Sequence, residues 1–98
     1  MPVYFIANIR IYHPEEYQKY INQAAEVFKK YNGTYLCVDN EPEIVEGQWD
    51  YTRAVLIRFD SRDGFNAWYH SADYQNILIH RLQSARCDSL LIHSLPGS

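Results

Sequence analysis

From Val3 to Tyr12 the chain alternates: Val3, Phe5, Ala7, Ile9 and Ile11 make one wholly apolar face. Tyr4, Ile6, Asn8, Arg10 and Tyr12 make the other, which is mixed. A period of two is that of a β-strand. After Pro14 the period changes. Tyr17, Tyr20, Ile21, Ala24, Phe28 and Tyr31 fall at offsets 0, 3, 4, 7, 11 and 14, one stripe of a helix. Pro14 fits the first helical position, and Glu15 and Glu16 sit well against the positive end of the helix dipole. Lys29 and Lys30 suit the last turn, and Asn32-Gly33 supplies the stop.

Thr34 to Val38 predicts a second strand, followed by a polar loop at Asp39-Asn40-Glu41-Pro42. A short strand is expected at Glu43 to Glu46, and a loop at Gln48 to Thr52. Arg53 to Asp60 is a clear strand, with Val55, Ile57 and Phe59 on one face and Ala54 and Leu56 on the other. Ser61 is a good N-cap for a second helix, which carries Asp63 in its first turn and presents Phe65, Trp68 and Tyr69. The next stripe, Tyr74, Ile77, Leu78, Arg81, Leu82 and Ala85, is out of phase with the first. The reading is a break near Ser71, which caps a new segment. Asp88 to Leu95 is the closing strand, and residues 95–98 trail off as a tail through Pro96-Gly97-Ser98.

The order strand, helix, strand, strand, helix, strand predicts an α+β, ferredoxin-like βαββαβ sandwich with an antiparallel sheet. Ninety-eight residues, spanning 1–98, suit one domain. Two helices cover one face of such a sheet, yet Arg53 to Phe59 and Leu90 to Leu95 carry apolar side chains on both. A sheet open to water should alternate apolar with polar. The expected cover is a second copy packed by two-fold symmetry, a homodimer burying about 2,000 Å² or more.

Composition then narrows the function classes. The formal net charge is −3, which argues against a nucleic-acid module with its basic stripe. Apolar residues at 47% exclude a disordered chain. No apolar run is long enough to cross a bilayer, and the opening Met1-Pro2-Val3-Tyr4 has no secretory signal pattern. Cys37 and Cys87 fit two reduced thiols, so the expected compartment is cytoplasmic.

No motif names a reaction. The glycines at 33, 47, 64 and 97 are too dispersed for a phosphate loop, and the four histidines lack metal-binding spacing. No metal and no cofactor are expected. His70 and His80 read as solvated helix residues, His93 as a core or interface residue. Polar groups on apolar faces say more. Arg81 on an apolar stripe is costly without a partner or a ligand; it snorkels at the stripe edge, pairs with Asp88 or Glu46, or meets a ligand. Asn8 is an amide in mid-strand. Trp68, Tyr69 and Tyr74 flank the helix break. Asn8, Trp68, Tyr74 and Arg81 together would offer amide, indole, phenol and cation to one cleft under the helices.

These residues also carry a resemblance. Ile6-Ala7-Asn8-Ile9, Pro14-Glu15 with Tyr17 and Tyr20, and Gly33 with Tyr35-Leu36 stand in order along the chain. Glu46-Gly47-x-Trp49 with Arg53, Ala67-Trp68-Tyr69, Ser71 with Tyr74, Arg81 and Asp88 complete the pattern. The chain resembles the domain-of-unknown-function 1330 family of the dimeric α+β barrel superfamily. His13, Thr34 and Ala72 depart from that pattern. The resemblance implies a dimer whose two sheets pack face to face as a barrel. It implies no single activity, because the superfamily hosts cofactor-free monooxygenases, isomerases, dehydratases and haem binders.

The functional expectation is a homodimer with a pocket between sheet and helices for a small polar, anionic or aromatic metabolite. Its candidate contacts are Asn8, Arg53, Trp68, Tyr69, Tyr74 and Arg81. Arg81 and Arg53 would pair with an anion, Asn8 would hydrogen-bond, and Trp68 and Tyr74 would stack. A first alternative is a cofactor-independent monooxygenase or isomerase. There Asn8 and Arg81 would hold an oxyanion while Tyr74 or His70 moves a proton. A second is a structural or regulatory dimer with no ligand, which a cavity below about 300 Å³ would favour.

Overall fold

The computed structural model describes residues 1–97. It contains β1 (Val3–Ile11), α1 (Pro14–Lys30), β2 (Thr34–Asp39), β3 (Arg53–Phe59), α2 (Arg62–Tyr69), α3 (Ala72–Ser84) and β4 (Ala85–His93). The strands form one sheet in the order β2-β3-β1-β4, every neighbouring pair antiparallel. This is the ferredoxin-like arrangement, with β1 and β3 in the middle.

Local chemistry explains the boundaries. Asn32 takes a left-handed φ of 61°, and Gly33 N–H donates to the Phe28 carbonyl at 2.9 Å, closing α1. The Ser61 hydroxyl accepts from Gly64 N–H at 3.1 Å and the Ser71 hydroxyl from Tyr74 N–H at 3.0 Å. The helical region therefore breaks at His70–Ser71, and its two pieces present different faces.

Three expectations change. Glu43 to Glu46 is not a strand. Ile44 and Val45 are adjacent rather than alternating, so the segment has no apolar face to lay on a sheet, and both side chains are exposed. The closing strand starts at Ala85, not Asp88, and ends at His93. β1 is long enough to pair Ile11, Arg10 and Ile9 with Ala85, Arg86 and Cys87, so α3 passes into β4 without a loop. Ala85 is thus the first strand residue rather than the end of a helical stripe. The expected tail has no regular structure as far as Gly97, and Ser98 lies outside the described residues.

The alternating faces separate as their period requires. Val3, Phe5, Ala7 and Ile9, with Val55, Ile57 and Phe59, turn to the helices and are buried. Tyr17, Tyr20, Ala24, Val27 and Phe28 of α1 cover them, with Tyr74, Ile77 and Leu78 of α3. Gly33 sits tight against this core. A Cβ there would stand 2.9 Å and 3.0 Å from two ring atoms of fully buried Phe59. Gly33→Ala is expected to cost about 1–3 kcal/mol through overpacking, read as a lower midpoint in urea unfolding.

At the surface, α1 and α3 are clasped by Glu16 and His80. His80 is therefore engaged with a carboxylate rather than simply solvated. The hydrogen bonds from His80, then from Lys19, hold the Glu16 carboxyl below its ordinary 4.5. A depressed carboxylate stabilises the fold above the unfolded pKa, and that contribution fades as pH falls through the folded value. Glu16→Gln should therefore lower the Tm at neutral pH, and the difference from wild type should vanish in acid.

Candidate functional site

A narrow cleft lies between α1 and the sheet. Its floor is the buried face of β1 and β3, with Phe5, Ala7, Ile9, Val55 and Ile57. Tyr17, Tyr20 and Phe28 of α1 form its roof, and Tyr35 of edge strand β2 stands at its side. Two guanidinium groups line it, Arg53 from the start of β3 and Arg81 from α3.

Helical spacing puts Arg81 inside, because it continues the inward row of Tyr74, Ile77 and Leu78. Only 5% of Arg81 is exposed. Its Nη2 donates to the Tyr74 hydroxyl at 3.4 Å, and its guanidinium lies 5.7 Å from the Tyr20 ring centre. The Tyr20 and Tyr74 hydroxyls are 2.8 Å apart. Among the described residues no carboxylate pairs with Arg81. The expected partners are elsewhere. Asp88 accepts from the Tyr51 hydroxyl at 2.6 Å on the opposite sheet face, and Glu46 is exposed in the β2–β3 loop.

Arg53 is half-buried. Its Nη1 donates to Asn40 Oδ1 at 3.0 Å, its guanidinium is 5.8 Å from the Tyr17 ring centre, and its buried Nε has no partner among the described residues. Burial raises the pKa of Tyr20, Tyr17, Tyr35 and Tyr74, even though neighbouring arginines pull in the other direction. The phenols are thus neutral at physiological pH. For Arg81, burial disfavours the charge; the pKa is nonetheless raised, through charge interaction with Tyr74, Tyr20 and Cys87 that acts only once those groups ionise. At physiological pH the buried guanidinium is therefore charged and faces neutral neighbours. The lining therefore holds two cations, neutral hydroxyls and apolar walls, with no acid and no imidazole. Its free volume is about 20 Å³, room for roughly one water.

The expected quartet does not converge. Asn8 shares a face with Tyr4, Ile6 and Arg10, opposite the buried residues, and pairs across the strands with Ala54 and Asp88. The period of two fixes this: the residues of β1 that line the cleft are odd-numbered, and Asn8 is not among them. Trp68 is 0% exposed and lies behind the cleft, its ring 4.1 Å from that of Tyr74 and 4.7 Å from that of Phe28. Tyr69 packs on Phe65 in the same cluster, with ring centres 5.7 Å apart. Tyr74 reaches the site only through its hydroxyl. His70 is the exposed C-cap residue of α2 and lines nothing in the cleft. Arg53 and Arg81 are the two candidates that the cleft does bring together. Tyr17, Tyr20 and Tyr35 were missed, although the first two stand on the α1 stripe; the missing signal was which helix roofs the cleft.

The sequence profile described as Domain of unknown function (DUF1330) matches residues 2–95. The chain belongs to the DUF1330 family. No curated protein matches this family member. Among solved structures it is similar to a protein of unknown function from Rhodopseudomonas palustris, with a TM-score of 0.77 at 17% identity. That alignment covers 98% of this chain and 84% of the other. SnoaB, a cofactor-independent oxygenase from Streptomyces nogalater, aligns with a TM-score of 0.72 at 12% identity over 98% of this chain and 95% of its own. A dimeric ferredoxin-like protein of unknown function from Jannaschia sp. aligns at 0.73 and 8% identity, over 96% of this chain and all of its own (100%). At such identities the likeness shows the fold alone. Within this DUF1330 chain, no described helix is long and apolar enough to cross a membrane.

Proposed function

We propose that this chain is a homodimeric binding protein for a small anionic metabolite, taken up in the cleft between α1 and the sheet. The observation that carries the reading is Arg81: a guanidinium 5% exposed, bonded to the Tyr74 phenol and facing no carboxylate among the described residues. An isolated cation in an apolar interior is costly, and an arriving anion removes that cost. Arg53 supplies a second cation, and the rings of Tyr17, Tyr20 and Tyr35 supply the walls. Tyr74 acts through its bonds to Arg81 and Tyr20, and Trp68 and Tyr69 fix the wall behind it. The test is thermal unfolding with benzoate and with inorganic phosphate. Wild type should gain stability from at least one of them, and Arg81→Met should gain none. Equal behaviour of the two proteins would overturn the reading.

Dimerisation is part of the proposal. The uncovered face carries Ile6, Ala54, Leu56, Leu90 and Ile92, and Leu90 is 66% exposed. Similar structures from Jannaschia and Thermobifida are described as dimeric. Asn8, on this face, belongs to the dimer seam rather than to the cleft. Leu90→Asp places a carboxylate beside Asp88 and Ile92 and should weaken association by on the order of 100-fold in Kd. Sedimentation should show a monomer with unchanged far-UV circular dichroism. A dimer as tight as wild type would exclude this face. The cytoplasm, where the free thiols of Cys37 and Cys87 stay reduced, fits the reading.

The free volume of about 20 Å³ favours a second reading, a dimer whose cleft is filled by its own side chains. A third, a cofactor-independent oxygenase, is supported by the likeness in fold to SnoaB. With no acid or imidazole lining the cleft, the substrate of such an enzyme would enter already ionised.

A further inference from the structure

Resting on the anion-site reading, we infer that the ligand is a two-headed acid, a small flat molecule with an acidic group at each end. Arg81 holds one end and Arg53 the other. Both guanidiniums line one cleft, and no carboxylate among the lining residues balances either. A ligand with a single negative charge would answer Arg81 and leave the unpartnered Nε of half-buried Arg53 unused.

The two cations sit in different surroundings. Arg81 is deep in the interior, over the Tyr20 ring and bonded to Tyr74. Arg53 is half-buried over the Tyr17 ring, tied to Asn40 through Nη1, with its buried Nε unpartnered. Nε and Nη2 form the second edge of the guanidinium fork, which suits the two oxygens of a carboxylate. Arg53 lies over the Tyr17 ring and Arg81 over the Tyr20 ring, and these rings are 5.6 Å apart, so the middle of the ligand meets mainly aromatic and apolar side chains. A phosphate would satisfy a cation but not fill that apolar middle.

Access requires the side of the cleft to move, because about 20 Å³ does not admit a ring. Edge strand β2 is the wall that can do so. It pairs with β3 alone, is bulged between Tyr35 and Cys37, and is exposed along its whole length. Tyr35 closes the cleft from this strand, its ring 4.9 Å from that of Phe28. The Arg53–Asn40 bond ties the loop after β2 to the same site.

Calorimetric titration of the purified dimer tests the inference with four kinds of probe: benzoate, the three benzenedicarboxylates, succinate and inorganic phosphate. At least one diacid should bind about tenfold or more tighter than benzoate, and Arg53→Gln should return it to the benzoate level. Phosphate should bind no tighter than benzoate. If benzoate binds through Arg81 but no diacid exceeds it, or Arg53→Gln leaves the ratio unchanged, the two-headed ligand is overturned and the anion site stands. Phosphate binding as tightly as the best diacid also overturns it, because charge alone is then being read. If no probe binds wild type, and Arg81→Met unfolds no differently with any of them, both fail.

Discussion

Truncating Trp68 to Ala should lower the unfolding free energy by about 3–5 kcal/mol, the upper range for core aromatics. Trp68 is 0% exposed and joins elements that are far apart in sequence. Its ring centre lies 5.5 Å from that of Phe5 on β1, 4.7 Å from Phe28 on α1, 5.2 Å from Phe59 on β3 and 4.1 Å from Tyr74 on α3. Removing it leaves a cavity whose walls are rings fixed to the sheet and to two helices, so little of the space collapses. A domain this size is stable by roughly 5–15 kcal/mol, and the loss takes a large share of that. Trp68→Phe separates packing from polarity. It keeps an aromatic ring and removes a buried indole N–H that has no partner, so it should cost much less than Ala. Denaturant unfolding of the three proteins checks this. A Trp68→Ala midpoint within about 1 kcal/mol of wild type would show that the cluster is not the keystone of the core.

Arg81→Met should have the opposite effect on stability and a severe one on binding. Met spans a similar reach, buries its whole length and carries no charge to desolvate. Replacing a buried ion pair by packed apolar groups is neutral or stabilising by about 1–4 kcal/mol, and Arg81 forms no ion pair among the described residues whose attraction would be lost. The free protein should therefore melt several degrees higher, with about 4–8 °C expected per kcal/mol at this size. The same variant should lose its response to anions. Stability gained where binding is lost is the signature of a side chain kept for its ligand rather than for the fold. A lower Tm would mean that the Tyr74 and Tyr20 contacts already satisfy the guanidinium and that Arg81 is structural.

Much of the fold was legible because periodicity is a local property. Five alternating apolar residues can bury one face only as a strand, and Val3, Phe5, Ala7 and Ile9 are buried accordingly, with Ile11 partly so. The phase slip between Phe65 and Tyr74 was visible as a break because Ser71 can cap the helix that begins at Ala72. Less local features were not legible. The start of β4 at Ala85 depends on how far β1 extends beside it, which no pattern within residues 85–88 records. The short strand expected at Glu43 to Glu46 does not form, because a strand needs a partner and an apolar side, and this segment has neither.

The candidate site divides along the same line. From the sequence alone, Arg81 was known to lie on an apolar stripe and Asn8 to share the mixed face of its strand, since helical and strand periods dictate both. Whether those faces meet is a question of topology. Only the β2-β3-β1-β4 order with all helices on one side puts Arg53 and Arg81 in one cleft, and the same order sends Asn8 to the far side of the sheet. Charge balance is likewise a tertiary property. Asp88 is seven residues from Arg81, yet the sheet stands between them. A short sequence separation reports reach along the chain, whereas an ion pair needs both groups on the same side of a packed layer.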